Sequence, residues 1–472
     1  MNLSSDVAGG ASSSENIGDV YVRAARDAAR RPALHRRGGS LTHAALAAQV
    51  RDFAVALRAR GLSSGDRLAL MLPNGPDYVM VVLGCALARV VVVLIDPRLA
   101  AFEVEPRLRR AGCRWLLRPD GWHRIEADLP PPLDAWAIAY TSGSTGEPKG
   151  AVIGHRAKLF SAIIEAQEYG TTRDTTVLIN TPLFHAHALV HAFTVLFRGG
   201  SLSIAEGFDP ADTLARIRDH RVTDVSMVPT MYQAILDERP DRGTLRRLRV
   251  ARCTGAPMSG DARAAVLDHF GHALHILYGA TEAGGVSNLR PQDVRGREGS
   301  VGRPFLGVDV DVRDGVLRIR SPYQFSGYLG GPPHRPGEDW LTLNDLADLD
   351  ADGFIYLRGR ADDVIISGGE NVAPAEVEEV LRTHPAVADA AVLGLADARW
   401  GQVVAAFLVL RPGGEIDVDG FLEGRLARFK RPRRVFTVQT IPRNAMGKVD
   451  RAALERAHGL DRAGGRTRPR GG

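Results

Sequence analysis

Between Tyr78 and Ile95 the chain reads YVMVVLGCALARVVVVLI, and that stretch constrains the fold more than any other. It is too apolar to lie on a surface, yet Gly84 and Arg89 interrupt it, so it reads as a buried helix followed by a strand and not as a membrane span. Its second half, from Val90 to Ile95, is almost entirely β-branched, as parallel strands covered on both faces are. The neighbouring segments fit the same plan. LTHAALAAQVRDFAVALRARG from Leu41 carries a helical apolar stripe closed by Gly61, and GDRLALMLP then supplies a strand. Helix and strand go on alternating through residues 158–167, 176–179, 214–219 and 225–228, which predicts a layered α/β body.

A chain of 472 residues exceeds one ordinary core, so at least two domains are expected. Around Asp345 the texture changes: LADLDADGFIYLRGR reads as a small β-hairpin, and a compact α/β unit of about a hundred residues begins after Asp362. The boundary falls between Arg360 and Asp363. This divides the chain into a flexible N-terminus (1–15), a large domain (16–361), a small domain (362–456) and a basic flexible tail (457–472). The tail accounts for part of the +5 net charge, because the last twelve residues carry four arginines and one aspartate. Nucleic-acid binding would need basic residues on an ordered element with aromatics between them. Only FKRPRR, from Phe429 to Arg434, approaches that pattern, so no nucleic-acid partner is expected. Three cysteines without C-x-x-C spacing argue against a disulfide framework or a cysteine zinc site, and the N-terminus lacks the basic and apolar regions of a signal peptide. A reducing cytoplasm fits both.

The stretch from Tyr140 to Val152, YTSGSTGEPKGAV, carries the chemistry. Glycine permits positive φ, and serine and threonine compete with the backbone for hydrogen bonds, so this is a loop. Its free N–H groups, the hydroxyls of Thr141, Ser142, Ser144 and Thr145, and the Lys149 ammonium are donors suited to phosphate oxygens. The Walker pattern is absent, because Gly146 precedes Glu147 and Gly150 follows Lys149.

Further motifs follow in order: PLFHAHAL at Pro182, CTGAPMS at Cys253, YGATEAGG at Tyr278, GRPFLG at Gly302, LNDLADLDADGFIYLRGRADDVIISGGENVAPAEVE at Leu343 and IPRNAMGKVDR at Ile441. With them the chain resembles the acyl-adenylate-forming superfamily, and within it the acyl-CoA and aryl-CoA synthetases, over roughly residues 20 to 455. The resemblance implies a large layered N-terminal adenylating domain and a small mobile α+β C-terminal domain, with ATP, Mg²⁺ and coenzyme A as cofactors. It assigns Thr141, Ser142, Gly143, Ser144, Thr145, Gly146 and Lys149 to the phosphates of ATP, and Gly255, Ala256, Pro257, Tyr278 and Gly279 to the adenine slot. Thr281 would bond the α-phosphate, Glu282 would bind Mg²⁺, and Asp345 with Arg360 would take the ribose hydroxyls. Lys448 resembles the lysine that neutralises charge in adenylation, and Asp362 occupies the place where the small domain pivots. With Lys448, Thr281 and Glu282, His185 completes the catalytic set. One departure concerns Leu343-Asn344-Asp345, where the family commonly shows T-G-D: the glycine that fixes the local backbone path is replaced by Asn344.

For the acceptor, Gly368 and Gly369 would admit a pantetheine arm, and Trp400, Phe429, Arg431 and Arg433 match positions that contact the CoA nucleotide in aryl-CoA ligases. A carrier protein, acidic on its docking helix, would suit the same basic run. His185, Ala186, Leu277, Gly279, Ala283, Gly284 and Gly285 are expected to wall the acyl pocket, where their small size suits a ring or modest chain. Phe184-His185-Ala186-His187 lacks the aspartate that pairs an α-ammonium in amino-acid-activating relatives, and Leu277 replaces the arginine expected for malonate-type diacids. The spacing His185-x-His187-x-x-x-His191 would suit a metal, but no acidic or thiol residue accompanies it in the sequence, so these histidines read as gating the pocket. The expected activity is ATP-dependent ligation of an aryl or short to medium-chain carboxylate to CoA through an acyl-adenylate. The alternatives are loading of a carrier protein or another nucleophile, and a degenerate nucleotide-binding protein without turnover.

Overall fold

The computed structural model describes residues 16–36, 38–126, 133–141, 148–255, 260–367, 370–397, 400–443 and 449–458. The opening stretch resolves into the helix Pro76–Ala88 and the strand Val91–Leu94, with Arg89 between them at φ 58°, a left-handed cap. Gly84 serves packing: a Cβ there would lie 2.8 Å from Phe53 Cδ1, so the glycine lets this helix approach the helix His43–Ala59. That second helix starts two residues later than its apolar stripe suggests, because Thr42 caps it by accepting from Ala45 N at 3.2 Å.

Val91–Leu94 lies inside a six-stranded sheet, parallel to Arg67–Leu70 on one side and Ala137–Thr141 on the other. Its side chains are buried on both faces, as the β-branched run requires. Trp115–Arg118 and Gly121–Arg124 form a hairpin at one edge. At the other edge Lys149–Ile153 pairs antiparallel with Ala137–Thr141, Thr141 opposite Lys149. The two ends of the glycine-rich loop are thus fixed side by side by a ladder, while residues 142–147 lie outside the described residues.

A second sheet of thirteen strands has a parallel centre: Pro32–Arg36, Ser201–Ile204, Thr176–Ile179, Asp224–Met227, Val250–Cys253 and Leu274–Ala280. Beyond Leu274–Ala280 the pairing turns antiparallel through Gly284–Leu289, Ser300–Pro304, Ile355–Arg360 and Leu341–Leu349. The segment around Asp345 is the hairpin its pattern predicts, closed at Asp350, whose Oδ1 accepts from the backbone N–H groups of Asp352 and Phe354. At Asn344 φ is 59°, the left-handed conformation a glycine would supply; asparagine tolerates it better than most residues, and the path into Asp345 is kept.

After Arg360 a 3-10 turn, Ala361–Asp363, leads to a five-stranded sheet built around the long antiparallel pair Val387–Asp397 and Gly401–Leu410. Residues from Ile365 onward bury their apolar side chains in two clusters of their own, separate from the four that hold the preceding part. All three cysteines are buried and free, and among the described residues no helix is long and apolar enough to cross a membrane.

Candidate active site

Thr281, Glu282 and Ala283 form the turn of the hairpin between Leu274–Ala280 and Gly284–Leu289. Gly284 has φ 72°, the left-handed position that three-residue hairpin loops place at their end. The turn aims the Glu282 side chain inward, and its Oε1 accepts from Thr141 Oγ1 at 2.9 Å and from the Tyr328 hydroxyl at 2.8 Å. Lys149 Nζ lies 5.5 Å from the Tyr328 ring. Both ends of the glycine-rich loop therefore converge with Glu282 on one tyrosine. Nothing in the sequence singles out Tyr328, which lies 46 residues beyond the carboxylate it holds. Among the described residues no hydrogen bond falls on Glu282 Oε2, which leaves a hard oxygen ligand of the kind Mg²⁺ takes.

Next along the same strand, the Tyr278 hydroxyl donates to Asp345 Oδ2, and Arg360 Nη1 lies 3.8 Å from Asp345 Oδ1. Asp345 and Arg360 are also opposite each other in the ladder, so their proximity is fixed by backbone pairing as well as by charge. Gly255 stands just past Val250–Cys253 with φ 87°. Ser142, Gly143, Ser144, Thr145, Gly146, Ala256, Pro257, Gly368, Gly369 and Lys448 lie outside the described residues, as does the side chain of Asp362, whose backbone forms part of the 3-10 turn.

The glycines expected to give acyl room have a second use. A Cβ on Gly279 would stand 2.5 Å from Gly284 O, and one on Gly285 would stand 2.4 Å from Phe305 Cε2. Their small size therefore closes the hairpin on itself and on Phe305. Leu277, Ala283 and Ala186 are buried. In the small domain, Arg433 Cζ lies 4.2 Å from the Trp400 ring centroid, so these two are brought together. Arg431 is turned back by a 3.1 Å bond from Nε to Leu426 O, and Phe429 stays partly exposed beside Lys430.

His185 caps the helix Ala186–Phe197, its ring 4.4 Å from that of Phe184. The expectation that no acidic residue joins the histidines is corrected by the fold. The helix His155–Glu168 packs against Ala186–Phe197 and brings Glu165 Oε2 to 3.3 Å from His191 Nε2. Glu165, His187 and His191 each offer a ligand atom within 4.8 Å of the others. A carboxylate 22 residues before His187, on another helix, leaves no trace in local spacing. Arg252 Nη1 is 3.4 Å from the same Glu165 oxygen, and Lys158 is buried in the cluster. Burial raises the pKa of Glu165 and lowers that of Lys158.

Burial also pushes His185 down to about 4 and His187 to about 3, with His191 well below its ordinary value. These rings stay neutral in the native chain at a pH where the unfolded chain has already bound protons. The unfolded state thus binds more protons below about pH 6.5, and stability is lost as the pH falls from there toward about 4. Calorimetry should show the Tm dropping across that window, and a double variant His187→Gln, His191→Gln should flatten the drop. An equally steep curve in that variant would assign the acid sensitivity to other groups.

The comparisons with known proteins fall on the same elements. The family model described as AMP-binding enzyme matches residues 21–130 and 118–329, and that of the AMP-binding enzyme C-terminal domain matches 376–448. A feruloyl-CoA synthase from Amycolatopsis sp is 34% identical over 94% of this chain and 99% of its own length. A fatty acid–acyl-carrier-protein ligase from Streptomyces coeruleorubidus is 33% identical over 90% of this chain and 92% of its own. Among solved structures, the o-succinylbenzoate CoA synthetase from Bacillus subtilis in complex with its acyl-adenylate intermediate aligns with TM-score 0.82 and 30% identity, covering 92% of this chain and 97% of that one. The same synthetase with ATP and magnesium ion aligns at 0.81.

Proposed function

Since the chain belongs to the AMP-binding enzyme family, we propose that it joins a carboxylic acid to coenzyme A at the expense of ATP, through an acyl-adenylate. One observation carries the reading: the donors flanking the glycine-rich loop, Thr141 and Lys149, meet Glu282 at Tyr328, and the strand leading into the Glu282 turn presents Tyr278 to Asp345 and Arg360. Such a set can grip a nucleotide triphosphate at both ends. Asp345 and Arg360 take the ribose hydroxyls, Tyr278 lies against the base, and the loop donors with Thr281 hold the phosphates. The acid's carboxylate oxygen attacks the α-phosphorus as pyrophosphate leaves, and Lys448 neutralises the charge that builds there. Glu282 would hold Mg²⁺, which when bound would screen the phosphate charges.

In the second half-reaction the small domain, residues 362–456, turns about Asp362 and presents Gly368 and Gly369 to a thiol, which attacks the acyl carbon as AMP leaves. Neutral His185 at the acyl mouth positions the carboxylate without adding a competing charge. ATP–pyrophosphate exchange with a panel of acids, followed by thioester assay with and without CoA, tests the scheme; exchange with no acid would refute it.

The carrier-protein reading has one specific support, the similarity to a carrier-protein ligase. Trp400 distinguishes the two. If it stacks on the CoA nucleotide, Trp400→Ala raises the KM for CoA several-fold, about 1–2 kcal/mol, with pyrophosphate exchange little changed. Pantetheine, which lacks the nucleotide, should be used equally poorly by both forms. An unchanged KM for CoA combined with lost transfer to a phosphopantetheinyl carrier would favour the carrier protein.

A further inference from the structure

Six charged side chains of the small domain alternate in sign along one continuous path. Arg451 Nε lies 3.6 Å from Asp363 Oδ2, and its Nη2 lies 3.5 Å from Glu378 Oε1. From Glu378 the path runs on through Arg382 at 3.3 Å to Asp389 at 3.4 Å, and Asp389 meets Arg443 at 2.5 Å. Three acids thus face three arginines. Isolated ion pairs on a surface contribute little, but Glu378 at the centre is buried, and a buried carboxylate is costly unless its partners stay in place. Glu378 Oε1 also accepts from Val392 N at 2.9 Å, which fixes the centre of the path to the strand Val387–Asp397. None of the six has a part in the reaction proposed above.

The places the path joins give it a use. Asp363 ends the 3-10 turn Ala361–Asp363, while Arg360, just before that turn, is held to Asp345 by the strand ladder and by charge at 3.8 Å. Only Ala361 and Asp362 separate a residue anchored to the large domain from one anchored to the small domain. At the other end, Arg443 and Arg451 bracket Lys448 in sequence. Arg443 pairs with Val449 as an isolated bridge, and Asp450 N bonds Pro442 O at 2.8 Å. Lys448 is bonded to Val449, and neighbouring Cα atoms stand about 3.8 Å apart, so the hold on Val449 limits where the lysine side chain can start. One network therefore reaches both the turn and the flanks of the lysine.

Arg451 is its branch point. Its three nitrogens serve three directions: Nε faces Asp363, Nη2 faces Glu378, and Nη1 donates to Val392 O. A planar guanidinium can hold all three at once, whereas a lysine ammonium is a single point on a flexible stem. The helix Arg451–Ala457 does not account for the residue, because a cation at the first helical position opposes the helix dipole. Its contacts with the turn and with Glu378 do.

We propose that Arg451, with Asp363 and Glu378, is a positioning residue for Lys448: it locks the flanks of the lysine to the moving side of the turn, so that rotation there places the ammonium at one defined point. The inference rests on the adenylating reaction proposed above and on Lys448 acting in it. Arg451→Lys keeps the charge and loses the fork; Asp363→Asn, at a partly exposed end of the path, tests the same link with less risk to folding. Each should slow single-turnover adenylation about tenfold, with the KM for ATP and acid and the rate of thioester formation from preformed acyl-AMP changed less than about twofold. Placed on Lys448→Ala, neither should slow the residual adenylation further, because a residue that acts through the lysine has nothing left to position. Full activity in both variants, an equal loss in both half-reactions, or a loss that persists undiminished on Lys448→Ala would overturn the assignment. A wild type that exchanges pyrophosphate with no acid on a broad panel would instead refute the underlying reaction, and a fully active Lys448→Ala would refute the role of the lysine; either would take this inference with it.

Discussion

Replacing Lys448 with alanine is expected to lower adenylate formation by about a hundredfold or more, roughly 3 kcal/mol, while thioester formation from preformed acyl-AMP survives. The expectation rests on position as much as on charge. Arg443 and Val449 pair as an isolated bridge, and Asp450 N bonds Pro442 O at 2.8 Å before Asp450 caps the helix Arg451–Ala457. These contacts fix Arg443 and Val449, on either side of residues 444–448, to one another within the small domain, and Lys448 belongs to that domain by sequence. If the domain turns at Ala361–Asp363 between half-reactions, the lysine acts only in the first. Single-turnover assays of the two steps separate the outcomes. An equal loss in both would mean that Lys448 holds the domain's structure and does not act on the α-phosphate.

The layered body was legible because its signals are local. The β-branched run before Ile95 lies in a buried parallel strand, and the stripe after Leu41 lies in a helix, since the residues that decide each are neighbours in sequence. The proposal of a phosphate loop rests on the same kind of local signal, a density of glycine, hydroxyl and lysine within one turn-rich stretch. Asn344 shows a substitution that reads as damage in sequence but preserves the backbone, because asparagine adopts the left-handed conformation at small cost. What stayed hidden depends on separation. Tyr328 reaches Glu282 from beyond four further strands, and Glu165 and Arg252 reach the histidine helix from 22 residues before His187 and 61 residues after His191. The acyl-pocket glycines show the converse limit. Small residues suggest open space, but at Gly279 and Gly285 the hairpin itself and Phe305 fill what their missing side chains leave.

Glu282→Gln should raise the Mg²⁺ concentration needed for half-maximal adenylation and lower kcat/KM by about a hundredfold, because it removes a charge and little else. Glu282 Oε1 accepts from both Thr141 and Tyr328, and a glutamine carbonyl oxygen in that place can accept the same two bonds. The hairpin turn and the attachment of the glycine-rich loop are thus preserved, which alanine would not achieve. The complementary substitution leaves the charge and loosens its hold: Tyr328→Phe deletes one of the two hydroxyls that fix the carboxylate, and should cost about tenfold without altering the Mg²⁺ requirement as much. The pair separates ligand from scaffold. If Glu282→Gln leaves the Mg²⁺ dependence untouched while Tyr328→Phe matches its loss of rate, Glu282 is a strut between hairpin and loop, and the metal must be held by other oxygens of the site.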